Sequence, residues 1–172
     1  RGGTMVTDSH GYEVFRPCAC RRALDRAELF DAARIGVRYA GATFDSFLPR
    51  NQGQGRAKQQ LEDFVLMYPQ PKRGLLLWGP VGTGKTHLIL AMFRKLTLEK
   101  GVPCRFIDFG LLLQDLRRSF RTDVGDADLV LPLVEVELLL IDELGKGRVT
   151  EWEMTVLDDL ISRRYNAGRI TQ

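Results

Sequence analysis

The stretch Gly79-Pro-Val-Gly-Thr-Gly-Lys85-Thr86 matches G-x-x-x-x-G-K-[ST], a pattern whose residue types suit the cradling of phosphate. Its glycines let backbone N–H groups turn toward phosphate oxygens with no β-carbon in the way. A helix starting at the lysine adds the positive end of its dipole. The candidate nucleotide-binding residues are therefore Gly79, Pro80, Val81, Gly82, Thr83, Gly84, Lys85, Thr86 and His87. Lys85 would reach the terminal phosphates and the Thr86 hydroxyl would be a ligand for Mg²⁺. The plainer reading is a Gly-rich turn with no ligand, and the apolar run before it and helical spacing after it weigh against that. His87 reads more readily as a packing residue at the helix start than as a chemical one.

A second piece is LLLIDEL, residues 138–144, an apolar run that ends on Asp142 and Glu143. A carboxylate at the carboxyl end of a strand beside a phosphate loop is placed to serve Mg²⁺ and its water shell, the role expected of Asp142. Holding a nucleotide needs no more than this, but hydrolysing it requires a group that orients and deprotonates water. Glu143, next to the metal carboxylate, supplies that group. A helix cap or a solvated surface pair is the alternative for such an acidic pair.

Loop and carboxylates can meet only if strands bring them to one edge. Near-continuous apolar runs are expected as strands at residues 74–78, 104–109, 137–142 and from 169 on. Helical spacing separates them at 85–99, 111–120 and 151–166, with further helices at 23–35 and 56–67. Buried strands alternating with helices specify an α/β fold, a parallel sheet with helices on both faces. The organisation expected is an N-terminal appendage at 1–40, a linker and helix at 41–72, and the nucleotide-binding core at 73–172. Residues 1–22 suggest a loop or short hairpin.

At 172 residues, 44% hydrophobic and 27% charged, the chain can bury one substantial core. The net charge of +3 divides into +4 over residues 1–73 and −1 over 74–172, so attraction to nucleic acid would be local. The longest apolar stretch, residues 129–141, is too short for a bilayer and is broken by Pro132, Glu135 and Glu137. Three cysteines and no leader-like start point to a reducing cytoplasm. The chain reads as a fragment cut at both ends.

The loop GPVGTGKTHL, the strand LLLIDELG and the segment EWEMTVLDDLISRRYNAGRIT resemble the core of an AAA+ ATPase, of the DnaC/IstB-like group of helicase loaders and transposition ATPases. The upstream RPCACRRA and IGVRYAGATFDSF are similar to that group's N-terminal part. The resemblance implies ATP and Mg²⁺ as ligands, ATP hydrolysis, self-association through ATP sites, a replicative DNA helicase as partner and single-stranded DNA as the place of loading. Within the class, a transposition helper acting on duplex DNA is the rival; outside it, a non-hydrolysing ATP-gated adaptor or a phosphotransferase. The resemblance also implies a sensor and arginines that lie beyond residue 172, so weak binding and poor hydrolysis are expected of this chain alone.

Four smaller features complete the reading. Cys18-Ala-Cys20 has the spacing of half a Zn²⁺ site, completed in resembling proteins by an upstream C-x-x-C; otherwise both are free thiols. Tyr39, Phe44 and Phe47 either wall off the base or pin the linker to the core. Arg117, Arg118 and Arg121 around Phe120 suit single-stranded DNA, and equally suit a solvated helix end. Arg163 and Arg164 meet the negative end of their helix dipole, with service to a neighbouring subunit's nucleotide as the less favoured reading; Asp108 is a candidate polar switch facing Glu143.

Overall fold

The computed structural model describes residues 2–8, 11–31, 33, 35–70, 73–120, 126–145 and 150–171. The chain opens with an antiparallel hairpin, β1 (Gly3–Thr7) and β2 (Glu13–Pro17), in which Met5 pairs with Phe15. Helix α1 (Ala19–Asp31) follows, starting four residues before the periodicity predicts. A short 3-10 turn at Val37–Tyr39 and a loop lead to α2 (Gln52–Met67). α2 also starts four residues early, because the Asn51 side chain accepts the Gln54 N–H at 2.9 Å and caps the helix.

The core comprises α3 (Lys85–Arg94), which runs into a π-helical turn at Lys95–Lys100, then β3 (Cys104–Asp108) and α4 (Phe109–Ser119). These are followed by α5 (Asp126–Glu135), β4 (Leu138–Asp142), α6 (Glu151–Asn166) and β5 (Ile170–Thr171). Among the described residues the core sheet is parallel in the order β3-β4-β5. Two expectations need correction. Residues 74–78, expected as a strand, are not part of this ladder, although they run beside it: a β-carbon on Gly74 would fall 1.9 Å from the Thr171 carbonyl oxygen. And α5 was not anticipated, because Pro132 inside it lacks the N–H that a helix interior uses.

β4 shows why this sheet needs cover on both sides. Leu138 and Leu140 pack with α2 and α3 into one core, which also holds Phe44, Phe47, Phe93 and Cys104. Leu139 and Ile141 pack with α4, α5 and α6 into the other. Alternate residues of a strand point to opposite faces, so an unbroken apolar run is buried only when helices lie on both. α1 joins the first core, where Phe30 stacks on Phe93 at 5.4 Å between ring centroids. Arg26 donates to the carbonyls of Leu98 and Glu99 at 3.0 and 3.2 Å, closing the end of the π turn. No described helix is long and apolar enough to cross a membrane.

Candidate nucleotide-binding site

The phosphate loop folds as its glycines require. Gly82 has φ +80° and Gly84 φ +88°, in the left-handed region that strains other residues by roughly 1–2 kcal/mol. A β-carbon on Gly82 would meet nothing within 4 Å, so the demand there is conformational. On Gly84 it would fall 2.4 Å from Phe47 Cε2, so space is demanded as well. Thr83 Oγ1 donates to the Pro80 carbonyl at 2.9 Å. Lys85 Nζ is folded back on its own loop, donating to the carbonyls of Gly79 and Pro80, each at 2.9 Å. α3 begins with no side-chain cap, which leaves the N–H groups of its first turn to a ligand.

Asp142 is the last residue of β4, and Glu143 turns the chain out of the sheet at φ +59°, the one non-glycine with positive φ among the described residues. A carboxylate held in this sparsely populated region marks a position that the surrounding fold imposes. Both carboxylates border the same cavity of about 720 Å³ as Gly79, Val81, Gly82, Gly84, Lys85, Thr86 and His87. Pro80 and Thr83, tied to each other, form the back of the loop instead. The parallel register sets Asp108 opposite Asp142, but the Asp108 side chain caps α4, accepting the Leu111 N–H at 3.0 Å, and does not border the cavity. The donor set fits a nucleotide with a hard divalent cation: an ammonium and backbone N–H groups for phosphate, a hydroxyl and a carboxylate for the metal.

His87 is engaged with the linker, its Nε2 lying 2.9 Å from the Thr43 carbonyl and 3.1 Å from Ser46 Oγ. Phe44 and Phe47 are buried and pin the linker to the core, whereas Tyr39 borders the cavity. Cys18 and Cys20 are disulfide-bonded to each other, and among the described residues no group of three or more His, Cys, Asp or Glu is placed to hold a metal. This corrects the expectation for the pair: the two sulfurs are joined to each other, and are neither free thiols nor two thiolates offered to Zn²⁺.

Of the arginines singled out, Arg164 changes its reading, and Arg117 at the end of α4 gains partners within the chain. Arg117 pairs with Glu153 at 2.9 Å and lies 4.9 Å over the Trp152 ring, while Phe120 meets the same indole edge-on at 6.2 Å; Arg121 lies outside the described residues. The Thr150 backbone N–H and then Arg117 hold the Glu153 carboxyl below its usual range. Arg164 is fully buried, donating to the carbonyls of Val134, Val136 and Ile170 and to Thr171 Oγ1, which takes it out of reach of any neighbouring subunit. Burial lowers its pKa to about 10. Sequence reasoning missed this role, because the acceptors come from separate segments. It also missed Gln54, whose Nε2 donates to the Thr83 carbonyl at 3.1 Å; the spacing Asn51-x-x-Gln54 was a usable signal for the start of α2.

A parallel sheet covered on both faces, a phosphate loop opening a helix and an acidic strand end facing that loop define a P-loop domain, and its likeness to the DnaC helicase loader structure makes it one of the AAA+ class. More narrowly, the chain belongs to the family of IstB-like ATP binding proteins, whose family model matches residues 42–171. It is 26% identical over 161 residues to the uncharacterized protein YqaM of Bacillus subtilis (strain 168), covering 87% of this chain and 50% of that one. It is 24% identical over 151 residues to the replicative helicase loader DnaC of Escherichia coli (strain K12), covering 87% and 61%. A crystal structure of the DnaC helicase loader superposes with a TM-score of 0.70 at 29% identity, covering 80% of this chain and 79% of that chain. The chain thus spans half to three-fifths of the length of these two curated relatives.

Proposed function

We propose that this chain carries the ATP-hydrolysing site of a protein that loads a replicative DNA helicase onto single-stranded DNA. The observation that carries the hydrolytic part is the common cavity of the phosphate loop with Asp142 and Glu143. In this reading the loop N–H groups and Lys85 hold the ATP phosphates, Lys85 leaving its present carbonyl partners to do so. Thr86 and Asp142 hold Mg²⁺, which when bound neutralises charge on the phosphates. Glu143 would orient a water and accept its proton as that water attacks the terminal phosphorus, the bond to the bridging oxygen breaking and ADP leaving. Self-association through the ATP sites belongs to the same reading, as does a cytoplasmic setting, and the likeness to DnaC supports the helicase as partner.

The family description supports a second reading within the class, an IstB-like transposition helper acting on duplex DNA. Two measurements test these readings, one for hydrolysis and one for the partner. Phosphate release from Mg·ATP should fall about 10²–10⁴-fold in Glu143→Gln while ATP binding persists. A wild type that binds ATP with no turnover in the full-length protein overturns the hydrolase in favour of an adaptor gated by binding alone. ATP-dependent capture of a hexameric replicative helicase supports the loader, and tight duplex binding without helicase capture supports the transposition helper.

A further inference from the structure

We propose that Gln54 is a positioning residue for the phosphates of the nucleotide: it locks the Thr83–Gly84 peptide in the orientation that turns the Gly84 N–H into the cradle. The inference rests on the reading of the site given above and deepens it. Gln54 stands at the start of α2, behind the loop, and its side-chain amide is used at both ends. Nε2 donates to the Thr83 carbonyl at 3.1 Å, and Oε1 accepts the Arg50 N–H at 2.6 Å. The Arg50 contact fixes which end of the amide faces the loop, and therefore presents a donor to Thr83.

The consequence follows from peptide geometry. The Thr83 C=O and the Gly84 N–H belong to one planar trans unit and point in opposite directions. A carbonyl tied toward α2 sends the N–H away from α2. Glycine at position 84 is needed for the loop's backbone, yet it is also what makes a flip of this peptide inexpensive, since no β-carbon opposes it. A flipped unit would present the Thr83 oxygen to an anion. The loop thus needs an outside restraint, and the structure supplies two beside one peptide: the Gln54 donor on the carbonyl and the Phe47 ring where a β-carbon of residue 84 would stand. The same helix holds that ring's own backbone, Lys58 Nζ lying 3.4 Å from the Phe47 carbonyl.

Gln54 does not border the cavity and acts on the loop alone, so its effect should be confined to the phosphates. The experiment compares wild type, Gln54→Glu and Gln54→Ala in the full chain, competing Mg·ATP and, separately, adenosine against a fluorescent ATP analogue. The expected result is Mg·ATP affinity lower by about tenfold or more in both variants, with adenosine within about twofold and little change in apo melting temperature. Gln54→Glu should be the weaker, because it keeps the Arg50 contact but sets a carboxylate against the Thr83 oxygen. Unchanged Mg·ATP affinity in both variants overturns the inference and leaves the site reading standing. Equal loss for ATP and adenosine, tracking a fall in melting temperature, overturns it in favour of a purely structural role. A wild type that binds no ATP overturns the site reading and this inference together.

Discussion

The Phe47 ring lies where a side chain at Gly84 would begin, its Cε2 2.4 Å from the position of a β-carbon. Linker and phosphate loop therefore share one volume, and neither can be altered alone. Gly84→Ala should lower both melting temperature and ATP affinity, by roughly 1–2 kcal/mol of backbone strain before any cost of moving the ring. Phe47→Ala opens that volume in a buried cluster and should destabilise by about 3–5 kcal/mol. The loss in the double variant should be smaller than the sum of the two single losses, read from denaturant midpoints in a double-mutant cycle. Strict additivity would refute the shared volume.

Arg164 offers a test of the core. Arg164→Met keeps much of the volume but leaves buried carbonyls at the end of α5 and beside β5 without a donor. At roughly 1–3 kcal/mol per orphaned acceptor the total loss should be at least about 3 kcal/mol. Urea unfolding would measure it. Arg163→Met is the control: Arg163 pairs with Asp159 at 2.8 Å on an exposed helix face and should change stability by less than about 1 kcal/mol.

Cys104 gives a pH dependence. Burial pushes its thiol from 9.0 up to about 12, and burial together with the hydrogen bond to Glu137 raises the Tyr68 phenol as well. Both groups stay protonated in the folded chain at pH values where the unfolded chain has lost its protons. The folded state then binds more protons, so stability falls as pH rises. The window opens near pH 9 and runs to about pH 12. Chemical unfolding at pH 7, 9 and 10.5 should show the fall, smaller in Cys104→Ala. At pH 8 a thiol reagent should reach Cys104 only after denaturation, and rapid labelling of the native chain would contradict the burial.

The parts of the site that were legible in the sequence are those whose chemistry is local. Gly79 to Thr86 needs a particular backbone and a helix start, and both are written in consecutive residues; Asp142 and Glu143 are marked by the strand they end. The bounds of α6 were also legible, its residues 151–166 matching the expected helix, with Thr150 and Glu153 forming a capping box at the start. The rest depends on partners remote in sequence. Whether residues 74–78 join a ladder is decided by their neighbour in space, not by their apolar run. That Arg164 lies inside follows only once α5, the turn into β4 and β5 bring carbonyls around it. The spacing of Gln54 from Asn51 marks a helix start, but its bond to the Thr83 carbonyl, 29 residues away, exists only once the loop has folded against α2.

One feature of β4 bears on how the site is aimed. Its residues 138–141 are three leucines and an isoleucine, nearly the same surface on both faces. A slip of one residue along the sheet would exchange the faces at small loss of burial, so side-chain hydrophobicity alone sets the register weakly. The flanking Glu137 and Asp142, which a slip would carry into buried positions, add to it, and the strand's entry is tied down: the Leu138 N–H reaches the Pro103 carbonyl at 3.2 Å and Arg164 donates to the carbonyls of Val136 and Glu137. Asp142 and Glu143 stand at the other end of the same short strand. The carboxylates that face the phosphate loop thus owe their alignment to an anchor at the opposite edge of the fold, as a pointer owes its reading to the pin that holds it.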